Sequence, residues 1–163
     1  MNRYRTVKQL EATDAAYIAG LIDGEGTVTL TTMHRGENRR LVVSISNTDR
    51  TLLEFVQAAL GTGQITGKRT YSSQHTPSFA FRLTNRQAVD LLQQIEPYLR
   101  TYKAARAALA LKHYIALTPR NGKYRDEVRT ARERFEIAFL SLGPSSRDPS
   151  GIRHVAELQV RDV

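Results

Sequence analysis

Two carboxylates separated by one glycine, Asp23-Gly24-Glu25, stand at the end of a short apolar run and just before Gly26. A run of helical period that ends in glycines leaves its last carbonyls without partners, and the negative end of the helix dipole attracts a cation. Beside those carbonyls Glu25 would complete an oxygen-only donor set. Carboxylate, carbonyl and water oxygens suit a hard ion such as Mg2+. The competing reading of Asp23 and Glu25 is an acidic turn leading into a strand. Other chemistries find no support. His34, His75, His113 and His154 are dispersed, without the spacing of a zinc site, and no glycine loop joins a strand to a helix as a phosphate loop would. With no cysteine in 163 residues, thiolate nucleophiles, zinc ribbons and disulfides are excluded, which suits a reducing cytoplasm, bacterial or organellar.

The elements that must position this segment follow from periodicity. Thr13 or Asp14 can cap a helix through Ile18 and Ile22 that Gly24 and Gly26 punctuate. On it Ala16, Gly20 and Gly24 recur at every fourth position, a ridge without bulky side chains that permits close approach of another backbone, with Ile22 placed at the same contact. From Thr27 the period changes to two. Val28 and Leu30 alternate with threonines, and Leu41, Val43 and Ile45 alternate with Arg40, Val42, Ser44 and Ser46, so residues 27–47 predict a hairpin. A second helix runs from about Thr48 to Gly61. Strands follow over Gln64–Tyr71 and Ser78–Leu83, then a helix capped by Asn85, a long helix opened by Pro97 and ending at Pro119, and a last one over about Arg125–Leu142. The expected architecture is α+β, with helices on one face of a four-stranded antiparallel sheet and a polar outer face. Residues 1–143 form the domain. Residues 144–163 are a tail to which no role is assigned.

Charge suggests what covers that outer face. Lys and Arg number 24 against 16 Asp and Glu, a net charge of +8, and no carboxylate occurs between Glu54 and Asp90, where Lys68, Arg69, Arg82 and Arg86 lie. Such an excess favours a polyanion. No apolar run is long enough for a membrane span, and no secretory leader is expected at the N-terminus.

The string Ile18-Ala19-Gly20-Leu21-Ile22-Asp23-Gly24-Glu25-Gly26 resembles the motif that names the LAGLIDADG homing endonucleases, differing at its first, seventh and eighth places. Element order from about residue 14 to 118 agrees, as do Asn47-Thr48-Asp49, Leu60-Gly61-Thr62-Gly63-Gln64-Ile65 and Pro97-Tyr98-Leu99-Arg100. The resemblance implies the αββαββα fold with extra C-terminal helices. It also implies a meganuclease that makes a staggered, Mg2+-dependent double-strand cut in a long DNA target. Because the chain holds one motif, the active form would be a homodimer on a near-palindrome, with Ala16, Gly20, Ile22 and Gly24 at the contact.

By the same resemblance Glu25 and the Gly24 carbonyl hold the metal, and Asn47 orients water or else caps the second helix. The family's basic residue falls at Tyr102 here, so either Lys103, next in line, serves or the role is filled otherwise. Arg50 could reach phosphate. Base reading would come from outward strand residues Thr29, Thr31, Arg40, Ser44, Gln64, Thr66, Lys68, Thr70 and Arg82, with Phe79 and Phe81 as alternatives on the fourth strand. Arg35 and Arg39 at the hairpin tip, and Arg86, would contact the DNA backbone. The alternative function is a non-cleaving binder on the same scaffold, an intron RNA maturase or a regulator.

Overall fold

The computed structural model describes residues 5–32, 37–68, 76–119 and 124–144. Helix α1 (Ala12–Glu25) passes without a loop into β1 (Gly26–Thr31), which pairs with β2 (Arg40–Asn47). Helix α2 (Arg50–Leu60), β3 (Gln64–Gly67) and β4 (Phe79–Thr84) repeat the pattern. Helix α3 (Asn85–Ile95), a single 3-10 turn at Glu96–Tyr98, α4 (Tyr102–His113) and α5 (Asp126–Ser141) complete the chain. The four strands form one antiparallel sheet in the order β1-β2-β4-β3. No helix among the described residues is long and apolar enough to cross a membrane.

The register confirms the alternation read from the hairpin. Val28, Leu30, Leu41, Val43, Ile45, Phe81 and Leu83 point inward and are buried against Ile18 and Ile22 of α1, Leu53, Val56 and Leu60 of α2, and Leu92 and Ile95 of α3. Burying a side chain of this size contributes about 1.5–3 kcal/mol. Gly63 shows how tight this packing is. Its φ is +105°, and a Cβ there would lie 2.3 Å from the Phe81 ring, so a side chain would be both strained and overlapping.

Three expectations need correction. Neither Thr13 nor Asp14 caps α1, which starts at Ala12 with Glu11 at the N-cap and no side-chain cap bond. Thr84, not Asn85, stands at the N-cap of α3, and Asn85 is its first residue with φ +53°. Pro97 does not open one long helix. It lies in the 3-10 turn, the chain extends at Leu99, and Thr101 caps a separate α4 by accepting from the Lys103 amide. The third strand is described only to Gly67, with the Lys68 amide still donating to the Ser78 carbonyl at 2.8 Å. Thr70 and Arg35, both named as DNA contacts, fall outside the described residues, as do residues 145–163 of the tail.

Candidate active site and nucleic-acid interface

The end of α1 is built by contacts from a distant part of the chain. Gly26 lets the helix turn straight into β1, since a Cβ there would come within 2.6 Å of the Ile22 Cα. Asp23 turns its carboxylate to the start of α4. It accepts from the Arg100 amide at 2.6 Å, the Thr101 hydroxyl at 2.6 Å and, at 3.4 Å, the Thr101 amide. Lys103, the second residue of α4, reaches back, and its Nζ donates to the Ile22 carbonyl at 2.7 Å and the Asp23 carbonyl at 2.9 Å. A side chain of each helix therefore caps the other. Only 6% of Lys103 is exposed. Burial pushes its ammonium below the usual lysine value, Arg106 adds to the effect, and Asp23 and Glu25 oppose it.

With Asp23 committed to this clasp, Glu25 is the free carboxylate of the motif. It is exposed and has no hydrogen bond or ion pair among the described residues. The sequence reading named Lys103, and the fold brings it to the motif. It overlooked Asp23 as a clasp, because the partners lie 77 and 78 positions away and no local pattern announces them. Asn47 stands at the end of β2, two residues past Ile45, which faces Gly26. Its Oδ1 accepts from the Asp49 amide at 2.8 Å in the turn before α2, and Asp49 rather than Asn47 is the residue that caps α2. Arg50 pairs with Glu54 at 2.8 Å and lies over the Phe79 ring at 5.5 Å.

Along α1, Ala16, Gly20 and Gly24 lie exposed, and a Cβ added at either glycine meets nothing within 4 Å. Tyr17, 47% exposed, borders this stripe and packs edge-on against Phe55, itself 43% exposed. Ile22 does not belong here. Two positions from Gly20 and Gly24 is more than half a helical turn, so Ile22 faces the opposite way and is wholly buried in the protomer's own core.

The outer face of the sheet carries the polar residues in rows set by the register. Thr27, Ser44, Arg82 and Gln64 form one row across all four strands; Thr29, Val42 and Thr84 form the next. Thr31 pairs with Arg40, whose guanidinium meets Glu37 at 3.4 Å, and Thr66 lies opposite Ala80. Val42 and Ala80 are small apolar residues buried at the centre of this face. Phe81 is core and Phe79 packs against it, so neither is an outward base reader. Lys68 is exposed just past β3. Arg39 is exposed too but tied to α5 through Glu136 at 3.4 Å. Behind β1, Arg106 donates to the Val28 carbonyl and the Leu142 carbonyl, each at 2.8 Å, and stacks on Tyr102 and Phe139.

A family model described as a LAGLIDADG-like domain matches residues 12–96. No curated protein sequence matches the chain. Among solved structures, the homing endonuclease I-CvuI in complex with its target, with calcium present, superimposes with a TM-score of 0.66 at 20% identity, covering 84% of this chain and 87% of that one. The archaeal intron-encoded homing endonuclease I-Vdi141I, complexed with DNA, gives 0.57 at 16% identity over 88% and 92%. The LAGLIDADG homing endonuclease I-GzeII in complex with its DNA target gives 0.58 at 17% identity, and there the match covers 80% of this chain but 44% of that one.

Proposed function

Because the chain belongs to the LAGLIDADG-like family, we propose that it is a site-specific DNA endonuclease that works as a homodimer and makes a staggered double-strand cut in a long, near-palindromic target. The observation that carries this reading is the exposed carboxylate of Glu25, without a hydrogen bond or ion pair among the described residues, at the end of a helix whose outer stripe is bare. The clasp from Asp23 and Lys103 holds that helix end rigid. Two such helices can approach along Ala16, Gly20 and Gly24 and bring two Glu25 carboxylates to opposite strands across one narrow minor groove. That the fold matches most of I-CvuI but under half of I-GzeII is in keeping with one chain supplying half of a paired site.

The donors present fit a hard divalent ion. Glu25 and the Gly24 carbonyl are oxygens at the negative end of a helix, and no cluster of three or more His, Cys, Asp or Glu gathers among the described residues. The remaining positions would be filled by water, DNA phosphate and the second protomer. When bound, the ion activates water and neutralises charge on the leaving oxygen. The chain's own residues orient the rest. Asp23 and Lys103 fix the helix terminus, and the outward rows through Ser44, Arg82 and Gln64 lie in the duplex groove, where each base-reading side chain discriminates by about 1–3 kcal/mol.

A non-cleaving binder would gain nothing from a free carboxylate held toward phosphates, so Glu25 favours cutting over a maturase or regulatory role. The test is to incubate the full chain with Mg2+ and a randomised duplex library and sequence the cut ends. Two-fold symmetric, staggered products are expected, and Glu25→Gln should bind the selected site without cutting it. Full nicking by that variant, or cuts without two-fold symmetry, would refute the assignment.

A further inference from the structure

At the sheet edge farthest from the motif helix, three strand spacings or roughly 14 Å from β1, a cavity of about 790 Å3 opens beside the start of β3 and the end of β4. Arg5, Arg82 and Arg86 line it, and no carboxylate does. None of the three guanidinium groups has an ion pair among the described residues. The walls are otherwise satisfied internally. Gln87 donates to the Arg5 carbonyl at 2.7 Å and the Thr62 hydroxyl at 2.8 Å, pinning the N-terminal arm against the turn before β3. The Tyr114 hydroxyl accepts from the Leu41 amide at 3.0 Å and donates to Asn85 Oδ1 at 2.8 Å. Three like charges gathered around a fixed concavity repel one another unless an anion joins them.

Guanidinium forks match phosphate oxygens bidentately, which makes phosphate the anion this chemistry suits best. Its source is indicated by continuity, since Arg82 and Gln64 belong both to the cavity and to the outward row of the sheet. We infer that the cavity takes a backbone phosphate of DNA flanking the base-read segment, held by Arg5 and Arg86, with Arg82 at the boundary between phosphate and base edge. This rests on the reading that the chain binds DNA. The contact carries no base information; it extends the footprint and fixes register.

The experiment measures affinity of the full chain against salt for two duplexes, the selected target alone and the target extended by half a helical turn at each end. In the wild type the log–log salt slope steepens by about two on the long duplex, one phosphate per protomer at about 0.9 each. Arg5→Gln and Arg86→Gln erase that increment without changing the slope on the short duplex or the preference between related targets. Arg86→Lys, which keeps the charge, restores most of it. Circular dichroism confirms that the variants are folded. Variants that keep the length-dependent increment overturn the inference while leaving DNA binding intact. If inorganic phosphate raises the melting temperature of the wild type and not of the variants, while no increment is seen, the cavity takes a free anion and the DNA source is wrong. A wild-type chain that binds neither duplex overturns the DNA reading and this inference with it.

Discussion

Replacing Asp23 by alanine tests whether the first acid of the motif serves architecture or chemistry. The substitution removes two short bonds of 2.6 Å, from the Arg100 amide and the Thr101 hydroxyl, and one long bond of 3.4 Å, from the Thr101 amide. These are hydrogen bonds to an anion at the N-terminus of a helix, where loss of the acceptor costs about 1 kcal/mol per good bond and about 2 kcal/mol in all. For a chain of this size that lowers the melting temperature by about 4–8 °C. Asp23→Asn keeps one acceptor and should lose about half as much. Because Lys103 holds the carbonyl of the same residue at 2.9 Å, the two positions form one network. A double-mutant cycle with Lys103→Met should show a coupling of about 1 kcal/mol rather than additivity. Urea and thermal melts supply the stabilities, and cleavage of the selected duplex supplies the activity. An Asp23→Ala protein that melts with the wild type yet cuts nothing would refute the clasp and move Asp23 into the chemistry.

Gly20→Glu should leave the protomer folded, since its Cβ meets nothing within 4 Å and leaving glycine gains about 1 kcal/mol of helix propensity, while sedimentation shows loss of the dimer. Persistence of a dimer would mean that the copies meet elsewhere. His113 has a buried Nε2 with no partner among the described residues, and burial, with Lys112 nearby, lowers its pKa below the ordinary 6.5. Above that pH the ring is neutral in folded and unfolded chains alike. Below it the unfolded chain takes the proton first, so stability falls with acidification. Urea midpoints at about pH 5.5 and about pH 7.5 should therefore converge in His113→Phe, and an undiminished acid loss in that variant would exclude His113 as its source.

The parts of the fold legible in the sequence are those governed by local period. Val28 and Leu30 mark β1 because one face of the sheet is buried and the other is polar, and Leu53, Val56 and Leu60 mark α2 for the same reason at helical spacing. What the sequence hid depends on partners far along the chain. The break between Pro97 and α4 is stabilised by Asp23 from the other end of the domain, so no residue near Leu99 announces it. Ile22 went astray because a motif string is linear while a helix has sides: its neighbours Gly20 and Gly24 face out and it faces in. At the site, the motif resemblance pointed to Glu25 and Lys103, which the fold brings to one helix end. It could not distinguish a carboxylate already occupied from one left free, a distinction that lies in the distances.

Arg106 has a consequence for how copies can assemble. By donating to the Val28 carbonyl beneath a cover of α4 and α5, it occupies one acceptor of β1, an edge strand of the kind that offers a template for strand addition. Pairing of two protomers along β1 would have to displace Arg106 and the helices that cover it. A pair of the kind proposed above, joined through helices alone, would keep two separate sheets, like two palms that can close on a rod from either side.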